Sequence, residues 1–299
     1  MANSIDRPKK KVLSLGGLME IKAMKKDLLD SSGIDLTVLE FINIAFFIEP
    51  REVSITLPDS SLSDFNFVWL HAFWATRDIA FALSTLLAYL RIPHNSVEPD
   101  HSKLTDYVTL ALNNCAMPKS YFARNQKLRK SYDEVVEYLG LPIVIKSCRS
   151  SWGRGVYLAK NEDEFVRITK KLPLNNSYVC QQFIPNKFDY RAMISYGEIV
   201  STEKRIRQEG TGEFRNNTHQ GGREVFFPPS ELPKEVAELS LKAAKVLNLE
   251  WCGVDIVPDL EEKHFYVLEV NRNPGTTAGS PEVPAALEHL KKLVRKVQP

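Results

Sequence analysis

The chain has 299 residues, of which 43% are hydrophobic and 25% are charged, and its formal net charge is +2. This length allows two or three lobes with a sizeable core, and the near-neutral charge gives no electrostatic reason to expect nucleic acid binding. The four cysteines form no C-x-x-C pair, so we expect reduced thiols in a cytoplasmic protein. The longest apolar stretch, residues 79–90, is too short to span a bilayer, so we expect no membrane partner.

Residues 1–98 alternate between strand and helix patterns, which indicates a small α/β unit with a parallel or mixed sheet. The patterns predict strands over 11–15, 37–48, 52–57 and 67–71 and helices over 18–29 and 77–90. Gly16-Gly17 follows the first strand but is not part of a G-x-G-x-x-G pattern. The sequence therefore predicts no dinucleotide site in this unit.

A second unit begins near residue 99 and contains a lysine followed by a Ser/Gly-rich loop. Lys146 ends an apolar strand, and Gly153 and Gly155 follow within the loop. Glycines let the main chain approach a polyphosphate closely, and the lysine supplies a point charge. The lysine precedes the glycines, so this is not the P-loop motif. An ordinary hairpin turn with an exposed lysine is the alternative interpretation.

The next stretch carries arginines on strands. The pattern predicts strands over 177–184, 192–195 and 199–207, and the last of these places Arg205 and Arg207 on one face. Guanidinium groups bind carboxylates and phosphates with two parallel hydrogen bonds. A polar, glycine-rich segment over 210–222 and a helix over 233–247 follow.

The stretch 251–275 predicts a hairpin with one apolar and one polar face. The apolar face is expected to carry Cys252, Val254 and Ile256 from the first strand and Tyr266, Leu268 and Val270 from the second. The opposite face would carry Asp255, Glu269 and Asn271, with Asp255 opposite residues 267–269. Two carboxylates and an amide oxygen suit Mg²⁺. A solvated strand face with ordinary surface charges is the alternative.

Taken together, these motifs resemble the ATP-grasp superfamily, and within it the RimK-like amide ligases, over residues 100–280. In chain order they are the lysine with its loop, Q-x-F-I, D-x-R, the arginine strand, G-x-F-R-x-N-x-H-x-G-G, G-V-D and L-E-V-N-x-x-P-G. The resemblance implies an α/β (α+β) ATP-grasp fold, in which two α/β lobes hold ATP between them. A small N-terminal α/β domain over 1–98 would precede a central lobe over 99–178 and a C-terminal lobe over 179–299.

The resemblance also implies roles for individual residues. The nucleotide would contact Lys103, Lys146, Ser151, Trp152, Gly153, Gly155, Gln181, Gln182, Phe183, Ile184, Asp189, Asn216 and Asn217. Magnesium, or manganese, would be held by Asp255, Glu269 and Asn271. Arg215 would face the phosphates, and Arg191 and Arg205 would grip a substrate carboxylate or acyl phosphate.

The implied activity is an ATP- and Mg²⁺-dependent ligase that joins a carboxylate to an amine through an acyl phosphate. The amine would be an amino acid or peptide, and the carboxylate would belong to a small molecule, a peptide or a protein C-terminus. A small-molecule kinase and a non-catalytic ATP-binding module are the alternatives. Homo-oligomers are common among relatives, so a homo-oligomer is a possible state of this chain.

Two positions depart from the family pattern. Gln182 stands at a hinge position that is usually acidic, but its amide can still accept a hydrogen bond from adenine or ribose, so we expect ATP use to survive. Arg272 stands where a small residue is common, and we expect it to influence the choice of an acidic co-substrate.

Overall fold

The protein is described by a computed structural model that covers residues 9–16, 32–73, 75–99, 101–148, 155–208, 210, 212–216, 221–260 and 263–296. The helix predicted over 18–29 and the predicted nucleotide contacts Ser151, Trp152, Gly153 and Asn217 lie outside these residues. The chain divides into two compact units, Met1–Asp100 with Gly275–Pro299, and His101–Pro274. Residues 275–299 thus group with the first unit, whereas the sequence assigned them to the last lobe. Among the described helices, none is long and apolar enough to cross a bilayer.

The first unit is built on a parallel sheet of three strands in the order β2-β1-β5. These are β1 (Lys10–Leu15), β2 (Ile34–Leu39) and β5 (Phe67–Leu70), while β3 (Phe46–Glu49) and β4 (Glu52–Ile55) form a separate hairpin. The unit also contains α1 (Arg77–Tyr89) and α7 (Glu282–Lys296). Its core includes Leu13, Leu15, Val68, Leu70, Leu83 and Leu87.

The single strand predicted over 37–48 is wrong. Strand β2 ends at Leu39, a 3₁₀ turn covers Phe41–Asn43, and β3 begins only at Phe46. The side-chain oxygen of Asn43 accepts a hydrogen bond from the Glu40 N–H at 3.2 Å, which stabilises the turn. Such local side-chain bonds compete with strand pairing, and the apolar composition of the run concealed them.

The second unit contains an antiparallel sheet of four strands in the order β6-β9-β7-β8. They are β6 (Ser120–Arg124), β9 (Ser177–Gln182), β7 (Ile143–Ser147) and β8 (Val156–Ala159). Helices α3 (Asn125–Leu128), α4 (Tyr132–Leu139) and α5 (Glu162–Lys171) contribute to the core on one face with Ile143, Ile145 and Cys180. Because side chains alternate along a strand, Lys146 and Gln181 lie on the opposite face.

The same unit contains an antiparallel sheet of five strands in the order β12-β11-β10-β13-β14. They are β12 (Arg223–Phe227), β11 (Glu198–Ile206), β10 (Phe188–Ser195), β13 (Trp251–Asp259) and β14 (His264–Asn271). Helices α2 (Lys103–Leu112) and α6 (Lys234–Val246) pack on one face against Ala192, Ile194, Val254 and Ile256. The charged residues predicted to form the site lie on the other face of this sheet.

The predicted hairpin is present, but the apolar face of its second strand differs from the expectation. Val267 and Val270 lie in the core, whereas Tyr266 and Leu268 are only partly buried. A β-bulge between Asp255 and Ile256 shifts the register, so Glu269 pairs with Asp255 and Val267 with Ile256. A bulge adds a residue to one strand and interrupts the period of two, which a regular alternation cannot anticipate.

Two side chains bind the carbonyl groups at the end of α5. They belong to Asn125, the first residue of α3, and to Arg129, the residue after that helix. The amide of Asn125 donates to the carbonyls of Thr169 and Leu172 at 2.8 and 2.7 Å, and the guanidinium of Arg129 donates to the carbonyls of Thr169, Lys170 and Leu172. The last carbonyls of a helix have no partner within the helix. This pair therefore satisfies the acceptors at the end of α5 and attaches that helix to α3.

Replacing Asn125 by alanine should lower the free energy of unfolding by about 2 kcal/mol, because it removes two buried hydrogen bonds, those to the carbonyls of Thr169 and Leu172. Urea denaturation measures the change. Asn113→Ala is the matched control, since Asn113 also donates to a helix carbonyl, that of Thr109, but lies exposed. Its loss should stay below about 0.5 kcal/mol. Equal losses in the two variants would contradict the capping role.

Candidate active site

The residues predicted to hold the metal lie together on the charged face of the five-stranded sheet. In the register of β13 and β14, Asp255 pairs with Glu269 and Gly253 pairs with Asn271. The Asn271 amide nitrogen donates to Glu269 Oε1 at 3.1 Å and to Asp255 Oδ2 at 3.3 Å. The structure thus brings both carboxylates within hydrogen-bond distance of one amide.

This set of oxygen donors fits Mg²⁺ better than a transition metal. Magnesium is held through one or two carboxylates together with phosphates and water. Among the described residues, no group of three or more His, Cys, Asp or Glu could hold a metal ion. A cation bound in this patch would take its third protein donor from Asn271, whose amide would have to turn its oxygen toward that cation.

Two arginines, one on β10 and one on β11, neutralise Asp255 on β13. Arg191 Nε donates to Asp255 Oδ1 at 2.8 Å, and Arg205 Nη2 lies 3.1 Å from Asp255 Oδ2. Arg205 also donates through Nε to Asp189 Oδ1 at 2.6 Å. Burial alone would lower the pKa of Arg205, but Asp189 and Asp255 outweigh it and hold the pKa well above its ordinary value. Burial raises the pKa of Asp189 even though Arg205 opposes the shift.

The pairing of strands explains why these charges meet. Asp255 on β13 stands opposite Arg191 on β10, which stands opposite Glu203 on β11. Together with Glu269 on β14 they form a row across four strands in which an arginine separates two of the carboxylates. Directly paired side chains of opposite charge attract, so the pairs of Arg191 with Asp255 and with Glu203 favour this register. The like charges of Asp255 and Glu269 also stand opposite each other, and Asn271 donates a hydrogen bond to both.

Lys103, predicted to be a nucleotide contact, lies beside the acidic patch. Its Nζ is 2.8 Å from Glu269 Oε2, and it comes from the first turn of α2. Lys103 lowers the pKa of Glu269, and this attraction outweighs the effect of burial. Burial would lower the pKa of Lys103, but Glu269 raises it above its ordinary value. Both groups therefore stay charged over the physiological range.

Lys146 reaches the same patch from the other sheet. Burial lowers its pKa to about 8, with Lys103 acting in the same direction and with Glu269 and Asp255 opposing. Gly155 is the residue before β8, and its carbonyl accepts a hydrogen bond from the Ser147 N–H at 2.9 Å. Gly155 has φ +67°, a left-handed conformation that favours glycine.

The predicted hinge lies at the end of β9. Gln181 is buried and stands opposite Val144, on the same face as Lys146, whereas Gln182 points to the opposite face. Beyond them, Phe183 packs edge-on against Phe214 with ring centroids 6.4 Å apart. Ile184, the last hinge residue, is buried.

Arg215 and Asn216 occupy the glycine-rich segment. Arg215 forms a two-point ion pair with Glu213, with Nη2 to Oε2 at 2.7 Å and Nε to Oε1 at 2.8 Å. Hydrogen bonds from Arg215, opposed by burial, lower the pKa of Glu213 to about 2. The amide of Asn216 donates to Asp189 Oδ2 at 3.0 Å and to Asn186 Oδ1 at 2.9 Å. Arg207, expected to share a face with Arg205, lies beyond the end of β11 and donates to the Phe214 carbonyl.

Sequence reasoning missed two contacts that shape the patch. Arg272 forms a two-point ion pair with Asp106 on α2, at 2.8 and 2.9 Å, so its expected influence on an acidic co-substrate stays a prediction. A Cβ on Gly253 would lie 2.9 Å from the Cβ of Pro274, so only glycine lets the chain after Asn271 fold back over β13. The G-V-D and N-x-x-P-G patterns signal the glycine, but no local pattern signals the ion pair.

The arrangement combines a cluster of oxygen donors with cations from two sheets. Such a site can hold a polyphosphate together with a divalent cation, because the lysines offset phosphate charge while the carboxylates offset metal charge. A model of the RimK-like ATP-grasp domain matches residues 101–294. The chain belongs to this family.

Known proteins of the ATP-grasp type resemble the chain in sequence and in fold. A probable alpha-L-glutamate ligase of Vibrio atlanticus is 32% identical over 184 residues, which are 60% of this chain and 58% of that protein. The chain thus aligns with somewhat less than two thirds of the length of such curated relatives. The D-alanyl-alanine synthetase A of Vibrio cholerae has the same fold, with a TM-score of 0.71 and 17% identity over 97% of this chain and 99% of that one. The ATP-grasp ligase PsnB with a minimal precursor, Mg and ADP gives a TM-score of 0.63 and 13% identity over 100% of this chain and 99% of that one.

The ion pair between Asp106 and Arg272 should stabilise the family domain. Its side chains are only 12% and 14% exposed, so Asp106→Asn and Arg272→Gln should each lower the free energy of unfolding by about 2 kcal/mol. A double-mutant cycle should return a coupling of about 1–2 kcal/mol. The pair Lys234–Glu238, exposed at 83% and 66%, is the control and should couple by less than about 0.5 kcal/mol. Equal couplings would show that the buried pair adds nothing special.

Proposed function

We propose that the chain is an ATP- and Mg²⁺-dependent ligase that joins a carboxylate to an amine as an amide. The observation that carries the proposal is the meeting of the buried Asp255 with the half-buried Glu269, Asn271, Lys103 and Lys146 in one patch. Family membership adds support, because its curated relatives include probable alpha-L-glutamate ligases. We therefore propose an amino acid as the amine, with glutamate as the first to test.

The proposed reaction has two steps. A carboxylate oxygen of the first substrate attacks the γ-phosphorus of ATP, the bond to the β–γ bridging oxygen breaks, and an acyl phosphate and ADP result. The nitrogen of the amine then attacks the acyl carbon, phosphate leaves with the bonding electrons, and the nitrogen loses a proton. The products are an amide, ADP and phosphate in equal amounts.

The chain's residues would bind and orient the reactants. Bound ATP with Mg²⁺ supplies the phosphoryl group that turns a carboxylate oxygen into a leaving group. Asp255, Glu269 and Asn271 would hold the cation, and Lys146 and Lys103 would offset phosphate charge. Catalysis of this kind relies on positioning and charge, so no nucleophilic serine or cysteine is required.

The three arginines have partners in the protein that define how each could act. Arg191 and Arg205 are held by Asp255 and Asp189, and this fixes their guanidinium groups beside the patch. We propose that they stabilise the negative charge of the acyl phosphate. Arg215, held by Glu213, is proposed to contact the nucleotide phosphates.

The decisive experiment is an assay of ATP-dependent phosphate release with glutamate and other amino acids, each paired with acidic peptides or small carboxylates. An amide product with ADP and phosphate in equal amounts would support the ligase. A phosphate ester would indicate the kinase alternative, and ATP binding without turnover for any pair would indicate a regulatory module. Assembly into a homo-oligomer and a cytoplasmic location stay predictions.

The double variant Asp255→Asn with Glu269→Gln should lose Mg²⁺-dependent turnover by about a thousandfold, because it removes both anionic ligands of the proposed cation. Phosphate release at saturating Mg²⁺ measures the change. Glu235→Gln with Glu238→Gln, two charges on the outer side of α6, is the control and should keep wild-type activity. Normal turnover in the site variant would make the metal assignment wrong.

Binding of ATP should weaken as the pH rises above about 8. Burial lowers the pKa of Lys146 to about 8, so above that pH a proton must be taken up before the ammonium can pair with phosphate. The Kd should then rise by up to about tenfold per pH unit between pH 8 and 10. Calorimetry across this range measures it. Lys146→Arg should bind with a nearly constant Kd, since arginine stays protonated, and an equal slope in both proteins would assign the titration to another group.

A further inference from the structure

Gln181 presents a buried oxygen acceptor on the face of the four-stranded sheet that also carries Lys146. The residue is 1% exposed, and among the described residues no hydrogen-bond donor reaches its Oε1. Gln181 pairs with Val144 across the strands, and Lys146 follows two residues along on the same side. The two side chains are diagonal neighbours, about 7–8 Å apart between their Cα atoms.

Ser120 fixes which end of the Gln181 amide faces the site. Ser120 on β6 stands directly opposite Gln181, and the Gln181 Nε2 donates to the Ser120 Oγ at 2.9 Å. The Ser120 hydroxyl donates in turn to the carbonyl of Pro118 at 2.9 Å. A hydroxyl has one hydrogen and two lone pairs, so a serine that donates to a carbonyl can only accept from the amide.

The reversed amide is therefore disfavoured. It would place Oε1 against the oxygen of a hydroxyl whose hydrogen already points to Pro118, and two acceptors would face each other. The chain of bonds from Gln181 through Ser120 to Pro118 thus leaves Oε1 as the atom available to a ligand. Because the amide is buried, bulk water does not compensate this oxygen, and a ligand that donates to it gains a full hydrogen bond.

The chemistry around Gln181 indicates which ligand group suits Oε1. Lys146 is proposed to pair with the phosphates, and the neutral amide on the adjacent strand offers no charge to a phosphate and suits the uncharged base. A purine with a 6-amino group donates to an acceptor at this position, whereas a 6-oxo purine brings a second acceptor against it. We infer that Ser120 is a positioning residue that makes the site select 6-amino over 6-oxo purine nucleotides, by holding the Gln181 oxygen toward the base.

This inference rests on the proposed function, since it needs a nucleotide in the site, and it assigns to Gln181 the contact with the base that the sequence considered for Gln182. The side chain of Gln182 lies on the opposite face of β9, so the unusual amide at that hinge position leaves recognition of the base unaffected.

The test compares the binding of ATP and ITP, which differ at the 6-position, by calorimetry with Mg²⁺ on the full chain. The wild-type protein should bind ATP tighter than ITP by on the order of tenfold to a hundredfold. Ser120→Val removes the hydroxyl and should lower this ratio by about fivefold or more, because the amide can then reverse. Ser120→Thr has the same shape but keeps the hydroxyl, and should keep the ratio within about twofold.

Each outcome is decisive. A wild-type ratio near one, or a wild-type ratio retained in a Ser120→Val protein that still binds ATP, would overturn the role of Ser120 and leave the ligase proposal standing. Loss of selectivity in both Ser120 variants would also overturn it, because shape rather than the hydroxyl would then matter. A wild-type chain that binds neither triphosphate would overturn the proposed function together with this role.

Discussion

The carboxylate of Asp255 is buried in the middle of a β-sheet, and this placement constrains much of the second unit. Taking a carboxylate out of water costs several kcal/mol unless charged partners compensate it. Arg191 and Arg205 supply that compensation, and the order β11-β10-β13 brings them to it. Arg205 is itself buried and the Arg191 side chain is 15% exposed, so they depend on Asp189 and Asp255 in return. The order of the strands and the pattern of charges therefore both serve to compensate the buried carboxylate of Asp255.

Charge balance extends from this sheet to the helix and the sheet opposite. The cations Arg191, Arg205, Lys103 and Lys146 meet the anions Asp189, Glu203, Asp255 and Glu269, so the named groups sum to zero. A patch that is neutral yet densely charged can bind a phosphate and a metal ion in succession without large repulsion from either. The helix α2 takes part because Lys103 contacts Glu269 and Arg272 contacts Asp106.

The sequence predicted most of the strands of the second unit and the convergence of Asp255, Glu269 and Asn271, because alternation along a hairpin is a local signal that survives folding. It could not predict the bulge after Asp255, which depends on how two strands fit together. The Asp106–Arg272 pair joins residues 166 positions apart, and neither residue belongs to a local pattern. Ser120 was equally hidden, since a single serine at the start of a strand carries no signal until its neighbour across the sheet is known. In the first unit, the apolar run over 37–48 concealed a capped turn.

Gly253 has a consequence for how this site can vary. Any side chain there would press on Pro274 and approach Arg191, whose Nε lies 3.5 Å from the position of the Cβ. Mutagenesis of the patch to change its substrates should therefore not tolerate a substitution at Gly253, although glycine has no side chain that could take part in the chemistry. The tolerance of the patch to mutation is thus limited by a close approach to the side chain of Pro274, a residue outside the charged row.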